Sequence, residues 1–312
     1  MAIESFGTIG VLMGGPSSER EISLKSGKAV FEALSSCGLD VVTVDITTDS
    51  CEENERLLRS KKIDCAFIAL HGRFGEDGQI QELLERMKIP YTGSGVRASR
   101  LAMDKTASRS IFESHGLRVP RYQILEKASY NGELKLECLL SLPLVIKPAS
   151  QGSSIGLSIV CDEAKLKKAV DVAFTFDDTI LIEEYIKGRE LTVGILNHRS
   201  LPVIEIIPKN PFFDFQAKYQ PGMTEYVVPA LLEEGIAAQI SQAALSAHKL
   251  LGCRGFSRVD MILSESDEGV ILEVNSIPGL TSTSLLPKAA KSVGIEFSAL
   301  CLELIKIAYE KE

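Results

Sequence analysis

The sequence predicts an α/β protein of more than one unit, with a parallel sheet at its N-terminal end and strand hairpins beyond it. Three observations lead there. The 312 residues exceed what one hydrophobic core usually fills. The first hundred residues alternate short apolar runs with helical periodicity, the rhythm of a parallel sheet covered by helices on both faces. From about Leu101 the texture changes to apolar runs joined by short polar loops.

The elements follow in order. "TIGVLMGG" is a β-branched and aliphatic strand ending in glycines. The next segment spaces Ile22, Ala29, Val30, Ala33 and Leu34 on a helical period and stops at Gly38. "DVVTVDI" is a second strand, a polar helix follows, and "DCAFIAL" is a third strand running into "HGRFGEDG". The helix "QIQELLERMK" and "IPYTGSG" close this unit. Ligands of such sheets sit beyond the carboxyl ends of the strands, where "GGPSSER" and "LHGRFGEDG" lie. "SRLAMDKTASRSIFESHG" reads as helix, and "LPLVIKPASQGSSIGLSIV" as two strands joined by a glycine-serine loop. The helix "DEAKLKKAVDVAFTF" and the strand "TILIEEYI" come next. "RELTVGIL" and "PVIEIIP" are strands, and residues 208–230 show no clean period. A helix at "EEGIAAQISQAALSAHKLLG", two strands and two helices end the chain.

Composition excludes several classes. A chain 45% hydrophobic and 24% charged, without low-complexity tracts, reads as soluble and globular. A net charge of −8 argues against a nucleic-acid partner and offers nothing to an anionic membrane. The seven cysteines are scattered with no C-x-x-C, which suits a reduced compartment. The opening "MAIESFGTIGVLMGG" has no basic stretch and only a short apolar run, so the expected location is cytoplasmic.

The segments "GFSRVDMIL" and "GVILEVN" are joined by the turn-like "SESDEG". An antiparallel hairpin with Leu263 across from Val270 would set Asp260 opposite Glu273 and Arg258 opposite Asn275. All four would share one face, with Val259, Met261, Leu272 and Val274 on the other. Like charges across a ladder repel, and oxygens from an Asp, a Glu and an Asn are the ligand set of a hard cation such as Mg²⁺. The other reading is a solvated polar face. "VIKPASQGSSIG" has residues small enough for backbone N–H groups to approach a phosphate, with Lys147 on the strand before it. It is neither a Walker loop nor a dinucleotide fingerprint, and such a loop is also simply a turn. Lys105, on an amphipathic helix, reads by itself as a solvated charge.

Taken in order, "GGPSSERE", "LHGRFGEDG", "YTGSG", "MDK", "VIKPASQGSSIG", "LIEEYIKGRE", "AKY", "GFSRVD" and "LEVNSIPGLTSTSL" closely resemble the D-alanine–D-alanine ligases of the ATP-grasp superfamily. The resemblance spans nearly the whole chain. It implies an α/β ATP-grasp fold of three α/β domains: an N-terminal Rossmann-like parallel sheet at 1–102, then two α+β domains clasping the nucleotide, a central unit at 103–186 and a C-terminal unit at 187–312. It implies ATP-dependent joining of two D-alanines through an acyl phosphate, for bacterial peptidoglycan synthesis. Magnesium, as two ions that manganese can replace, and a homodimer are implied with it.

Residue by residue, the resemblance assigns Lys105 and Lys147 to the phosphates and Ser153 and Ser154 to the loop covering them. Glu183, Tyr185, Ile186 and Glu190 match the adenine and ribose contacts, and Glu184, also counted with the ATP-binding residues, lies beside the adenine contact at a position where relatives can carry Lys. Phe212, Met261 and Leu272 match the apolar walls of the base. Asp260, Glu273 and Asn275 match the metal ligands, in agreement with the hairpin argument. Glu19 matches the carboxylate holding the ammonium of the first D-alanine; by itself it is a helix-start acid. Arg258 and the N–H of Gly279 match the oxyanion hole. Ser284 and Leu285 open a predicted helix with Pro287 in its first turn, a seat for the second carboxylate. His71 and Glu76 line the same region. Lys218 and Tyr219 lie in the segment 208–230, which reads as a lid that keeps the acyl phosphate from water.

Other readings stand beside this one at this stage: a ligase joining D-alanine to D-serine or another amino acid, a nucleotide-binding protein without activity, and a phosphotransferase that stops at the phosphorylated acceptor.

Overall fold

A computed structural model describes residues 6–137, 139–209 and 223–310. The predicted parallel sheet is present, with strands β1 (Ile9–Gly14), β2 (Val41–Ile46) and β3 (Cys65–Ile68) in the order β2-β1-β3. All four residues of β3 are buried, as expected of a strand covered on both faces. Helix α1 (Arg20–Ser36) turns Val30 and Leu34 onto this sheet. Helices α2 (Cys51–Lys61) and α3 (Gln79–Met87) complete the layers, with Ser50 capping α2 through the N–H of Glu53.

The stretch "SRLAMDKTASRSIFESHG" is helical as expected, divided into two helices. Helix α4 (Val96–Met103) ends at Asp104, whose carboxylate accepts from the N–H groups of Thr106 at 2.9 Å and Ala107 at 3.1 Å and so starts α5 (Lys105–Ser114). An Asp cap competes well with a continuous helix because it fills donors that a helix start leaves open. Lys105 therefore opens a helix.

A second sheet is antiparallel, in the order β4-β7-β5-β6, from β4 (Tyr122–Glu126), β5 (Leu144–Pro148), β6 (Ser158–Val160) and β7 (Thr179–Glu184). Helix α6 (Leu166–Ala173) packs Val170 and Ala173 on it. Strand β4 went unread in the sequence. Its residues alternate only between partly buried and exposed, so no periodic signal marks it.

The third sheet has β8 (Gly188–Leu196), β10 (Ile204–Pro208), β11 (Thr224–Val227), β12 (Phe256–Ser264) and β13 (Gly269–Asn275) in the order β11-β10-β8-β12-β13, with the two residues of β9 (Arg199–Ser200) beside β8. Part of the unpatterned segment is thus a strand: β11 pairs with β10 from Glu205–Val227 to Pro208–Thr224. Phe212, expected at the base, and Lys218 and Tyr219, expected in a lid, lie outside the described residues. Helix α7 (Glu234–Leu250) covers this sheet through Ile240, Ala244 and Ala247. Helices α8 (Leu285–Ser292) and α9 (Phe297–Tyr309) return to the first sheet, where Leu300 and Leu304 share a core with Ile9 and Leu12. The C-terminal end of the chain is thereby built into the N-terminal layer. No helix among the described residues is long and apolar enough to cross a membrane.

The hairpin has the predicted pairs at its functional end but not at its turn. Arg258 faces Asn275 and Asp260 faces Glu273, whereas Leu263 pairs with Gly269 rather than Val270. A register shift after Asp260 absorbs the difference and leaves Leu272 as the extra residue of a bulge. Leu272 and Glu273 consequently both line the cleft, and Leu272 is not on the opposite face as simple alternation required.

Candidate active site

Two cavities meet at the hairpin. The larger, about 490 Å³, lies between the second and third sheets; the smaller, about 370 Å³, lies between the third sheet and the ends of the first. Glu273 lines both. The glycine-serine loop divides them, with Ser154 in the wall of the larger and Gly152 and Ser153 in that of the smaller. Ser153 and Ser154 have φ of +52° and +59°, a conformation that costs a non-glycine residue about 1 kcal/mol each. Ser153 Oγ donates to Glu19 Oε1, a contact that holds the loop down across the two cavities.

The larger cavity gathers Lys105, Lys147, Ser154, Glu183, Glu184, Tyr185, Ile186, Glu190, Asp260, Met261, Leu272 and Glu273. All were expected there from the resemblance, and Lys105 is not the solvated charge its helix alone suggests: it is 5% exposed, donates to the Gln151 carbonyl at 2.7 Å and lies 3.4 Å from Glu273. Lys147, from β5, is 2.9 Å from Glu183, which is itself 1% exposed. Burial pushes the Lys147 ammonium down to about 8, with Glu183 opposing and Arg109 and Lys105 adding to the fall. The N–H groups of Glu184 and Tyr185 are spent on the carbonyls of Arg121 and Pro143, which leaves Ile186 to offer its N–H to a ligand. The Glu184 carboxylate is held by Arg121, so this side chain serves the protein. Gly188 is required at the bend after β7, because a Cβ there would overlap the Leu263 carbonyl.

The hard-cation donor set is assembled but engaged. Arg258 Nε and Nη2 donate to Asp260 at 2.8 and 2.7 Å, Thr192 Oγ1 donates at 2.6 Å and Asn275 Nδ2 at 3.1 Å. Lys105 balances Glu273. No group of three or more His, Cys, Asp or Glu gathers as a metal site among the described residues. Two carboxylates and an amide, oxygen donors on one face, still fit a cation that keeps most of its waters and shares phosphate oxygens.

The smaller cavity brings together Glu19, His71, Glu76, Ser153, Arg258, Gly279, Ser284 and Leu285 from five separate parts of the chain. Glu19 caps α1 without a cap hydrogen bond and is 8% exposed. Gly72 leaves it room, since a Cβ at that φ of +70° would press on Glu19 Oε2. Glu76 accepts from the Gly72 N–H at 2.6 Å, and burial together with the charge of Glu19 pushes its carboxyl up to about 8. Burial holds the His71 imidazole down at about 4, and its Nε2 shares a hydrogen bond with Ser26 Oγ at 2.9 Å. Ser284 is the N-cap of α8, and its Oγ is turned to the Thr281 N–H at 3.1 Å, away from the first turn. The open first-turn N–H groups suit an anion.

Some residues at the site escaped the sequence reading, among them Ile262 facing the larger cavity and Tyr226 on β11 facing the smaller, while Arg109 lies behind Glu183 without lining either. Tyr226 carries a signal of sorts as an aromatic in the unpatterned segment, with Lys288 Nζ 4.1 Å from its ring centre. Arg109 carries none, because a charge on a helix reads as solvated.

Comparison with known proteins follows the same outline. The family model "D-ala D-ala ligase C-terminus" matches residues 111–306, and the model "D-ala D-ala ligase N-terminus" matches 8–58 and 50–94. The chain is 48% identical over 300 residues to a D-alanine–D-alanine ligase of Citrifermentans bemidjiense, covering 96% of this chain and 95% of that protein. A solved D-alanine–D-alanine ligase of Bacillus anthracis is similar at a TM-score of 0.86 and 36% identity, covering 96% of this chain and 97% of that one. The same enzyme complexed with ATP is similar at 0.84 and 34%, with the same coverage.

Proposed function

The chain belongs to the D-alanine–D-alanine ligase family, and from that premise we propose that it joins two D-alanines into D-alanyl-D-alanine at the expense of ATP, a product that feeds bacterial peptidoglycan. The observation that carries this reading is the meeting of the two cavities at Glu273 and the glycine-serine loop. A nucleotide in the larger one has its phosphate end where a substrate carboxylate in the smaller one can reach it.

The assigned roles are these. Ile186 meets the base with its backbone, Leu272, Met261 and Ile262 wall it, and Glu190 takes the ribose. Lys105 and Lys147 hold the phosphates while the Ser153–Ser154 loop covers them with N–H groups. Asp260, Glu273 and Asn275 would hold magnesium, one ion or two with manganese as a substitute, and the cation would offset phosphate charge. Glu19 binds the ammonium of the first D-alanine, and Ser153 keeps Glu19 aimed. The terminal phosphoryl group passes from ATP to the first carboxylate, giving ADP and an acyl phosphate. The amine of the second D-alanine, seated by its carboxylate at Ser284 and Leu285, attacks the acyl carbon. Arg258 and the Gly279 N–H stabilise the oxyanion, and its collapse forms the amide and expels phosphate. His71 and Glu76 enter as a neutral imidazole and a carboxyl that keeps its proton until an ammonium arrives. We also propose the division at 102/103 and 186/187, and a cytoplasmic site of action, which suits an ATP-consuming enzyme whose described cysteines are all free.

Incubation with ATP, Mg²⁺ and D-alanine, with L-alanine and D-lactate in parallel, tests the reading. Phosphate release and product mass are read together. D-alanine-dependent phosphate with a dipeptide mass supports it; phosphate without dipeptide moves the second site to another nucleophile, and no turnover with D-alanine rejects it.

A further inference from the structure

Behind the larger cavity lies a cation to which the ligation scheme assigns nothing. Arg109 on α5 is 1% exposed. Its Nη2 lies 2.6 Å from Glu183 Oε1 and donates to the Leu272 carbonyl at 3.3 Å, while its guanidinium sits over the Tyr122 ring, 5.7 Å from the centre. Nε and Nη1 are buried with no hydrogen-bond partner among the described residues. A guanidinium kept dry with two nitrogens unfilled is costly, and packing alone would be served better by an apolar side chain. What it does keep is the charge balance of Glu183. That carboxylate has Lys147 on one oxygen and Arg109 on the other, and only Lys147 of the two cations lines the cavity.

We propose that Arg109 is a positioning residue for nucleotide binding: it is the fixed counter-ion of Glu183, which frees Lys147 to leave that carboxylate for the phosphates without stranding a buried charge. The inference rests on the assignment of Lys147 to the phosphates made above. With Arg109 absent, Glu183 would keep Lys147 alone among the described cations in a low dielectric, and drawing the ammonium away would leave an uncompensated carboxylate. Both contacts are made by Nη2; lysine could supply the charge at this position, but its flexible stem and strongly hydrated ammonium would hold those contacts less firmly.

Calorimetric titration of the full chain with Mg·ATP tests this, using Lys147→Gln, Arg109→Met, Arg109→Lys, Glu183→Gln and the double variant Arg109→Met/Glu183→Gln. Lys147→Gln and Arg109→Met are both expected to weaken ATP binding about tenfold or more, with Arg109→Lys between Arg109→Met and the parent. The KM for D-alanine at saturating ATP is expected to stay unchanged in Arg109→Met. Because the effect runs through the Glu183 charge, Glu183→Gln and the double variant are expected to bind ATP equally. That comparison also serves if Arg109→Met alone does not fold, since the double variant removes both buried charges. Weakening by Arg109→Met of the same factor with and without the Glu183 charge overturns the proposal in favour of a packing role. Normal binding in Arg109→Met beside weakened binding in Lys147→Gln overturns it alone. Normal binding in Lys147→Gln removes the phosphate assignment first and this inference with it.

Discussion

The two cavities flank one loop and both are walled by charged side chains, yet they keep those charges by opposite means. At the larger cavity the buried cations among the described residues have carboxylates: Lys147 in the wall and Arg109 behind it share Glu183, and Lys105 lies beside Glu273. In the smaller one the carboxylates Glu19 and Glu76 crowd together, and burial with the charge of Glu19 outweighs the pull of Arg258, so that Glu76 retains a proton up to about 8. On the proposed roles the difference follows from what each would receive. A polyanion can displace carboxylates from lysines already in place, whereas an incoming ammonium is drawn to a site where carboxylates crowd together.

The largest expected effect breaks the comparison where the cavities join. Glu273→Gln should lower kcat by about a hundredfold or more and raise the Mg²⁺ concentration for half-maximal rate. Steady-state kinetics over a magnesium series checks both, and normal kinetics would remove Glu273 from the site. Next, Glu19→Gln should raise the KM for the first D-alanine about ten- to a hundredfold, the worth of a charged hydrogen bond, while the KM for ATP stays put. A change in both would mean that the cavities are coupled through Ser153 more tightly than separate sites allow.

A smaller effect sharpens the contrast in protonation. The Glu76 carboxyl is raised from 4.5 to about 8, so its contribution to stability is complete below 4.5 and is lost as pH rises through 8. Melting temperatures of the parent should therefore fall from pH 5 to pH 8.5 relative to those of Glu76→Gln; parallel curves would contradict a retained proton. The least effect concerns the larger cavity alone. Asp104→Ala removes the cap of α5 and should cost about 1 kcal/mol of stability, with a KM for ATP raised a few fold because Lys105 opens that helix.

Much of the site was legible because its elements are local. Period-two alternation placed Arg258, Asp260, Glu273 and Asn275 on one face, and the pairing Asp260–Glu273 is as expected. Proline in a first turn marked the helix at Leu285. The hairpin turn was misread by one residue, since a bulge leaves no trace in hydrophobic pattern: Leu272 is apolar whichever way it faces. Arg109, and the burial of Lys105 that only the resemblance had suggested, were illegible for another reason. On a helix of mixed composition a cation reads as solvated, and only the neighbouring sheets show otherwise.

Strand alternation, the small residues of the loop and the helix cap are properties of a few consecutive side chains, so the order of residues settles them before the chain collapses. Burial is not of that kind. Whether Lys147 and Arg109 sit dry beside Glu183, whether Glu76 keeps its proton beside Glu19, and which face of the bulge looks into the cleft depend on elements that meet from distant parts of the chain. Desolvation and charge pairing are set by those meetings, and they act through space rather than along the backbone.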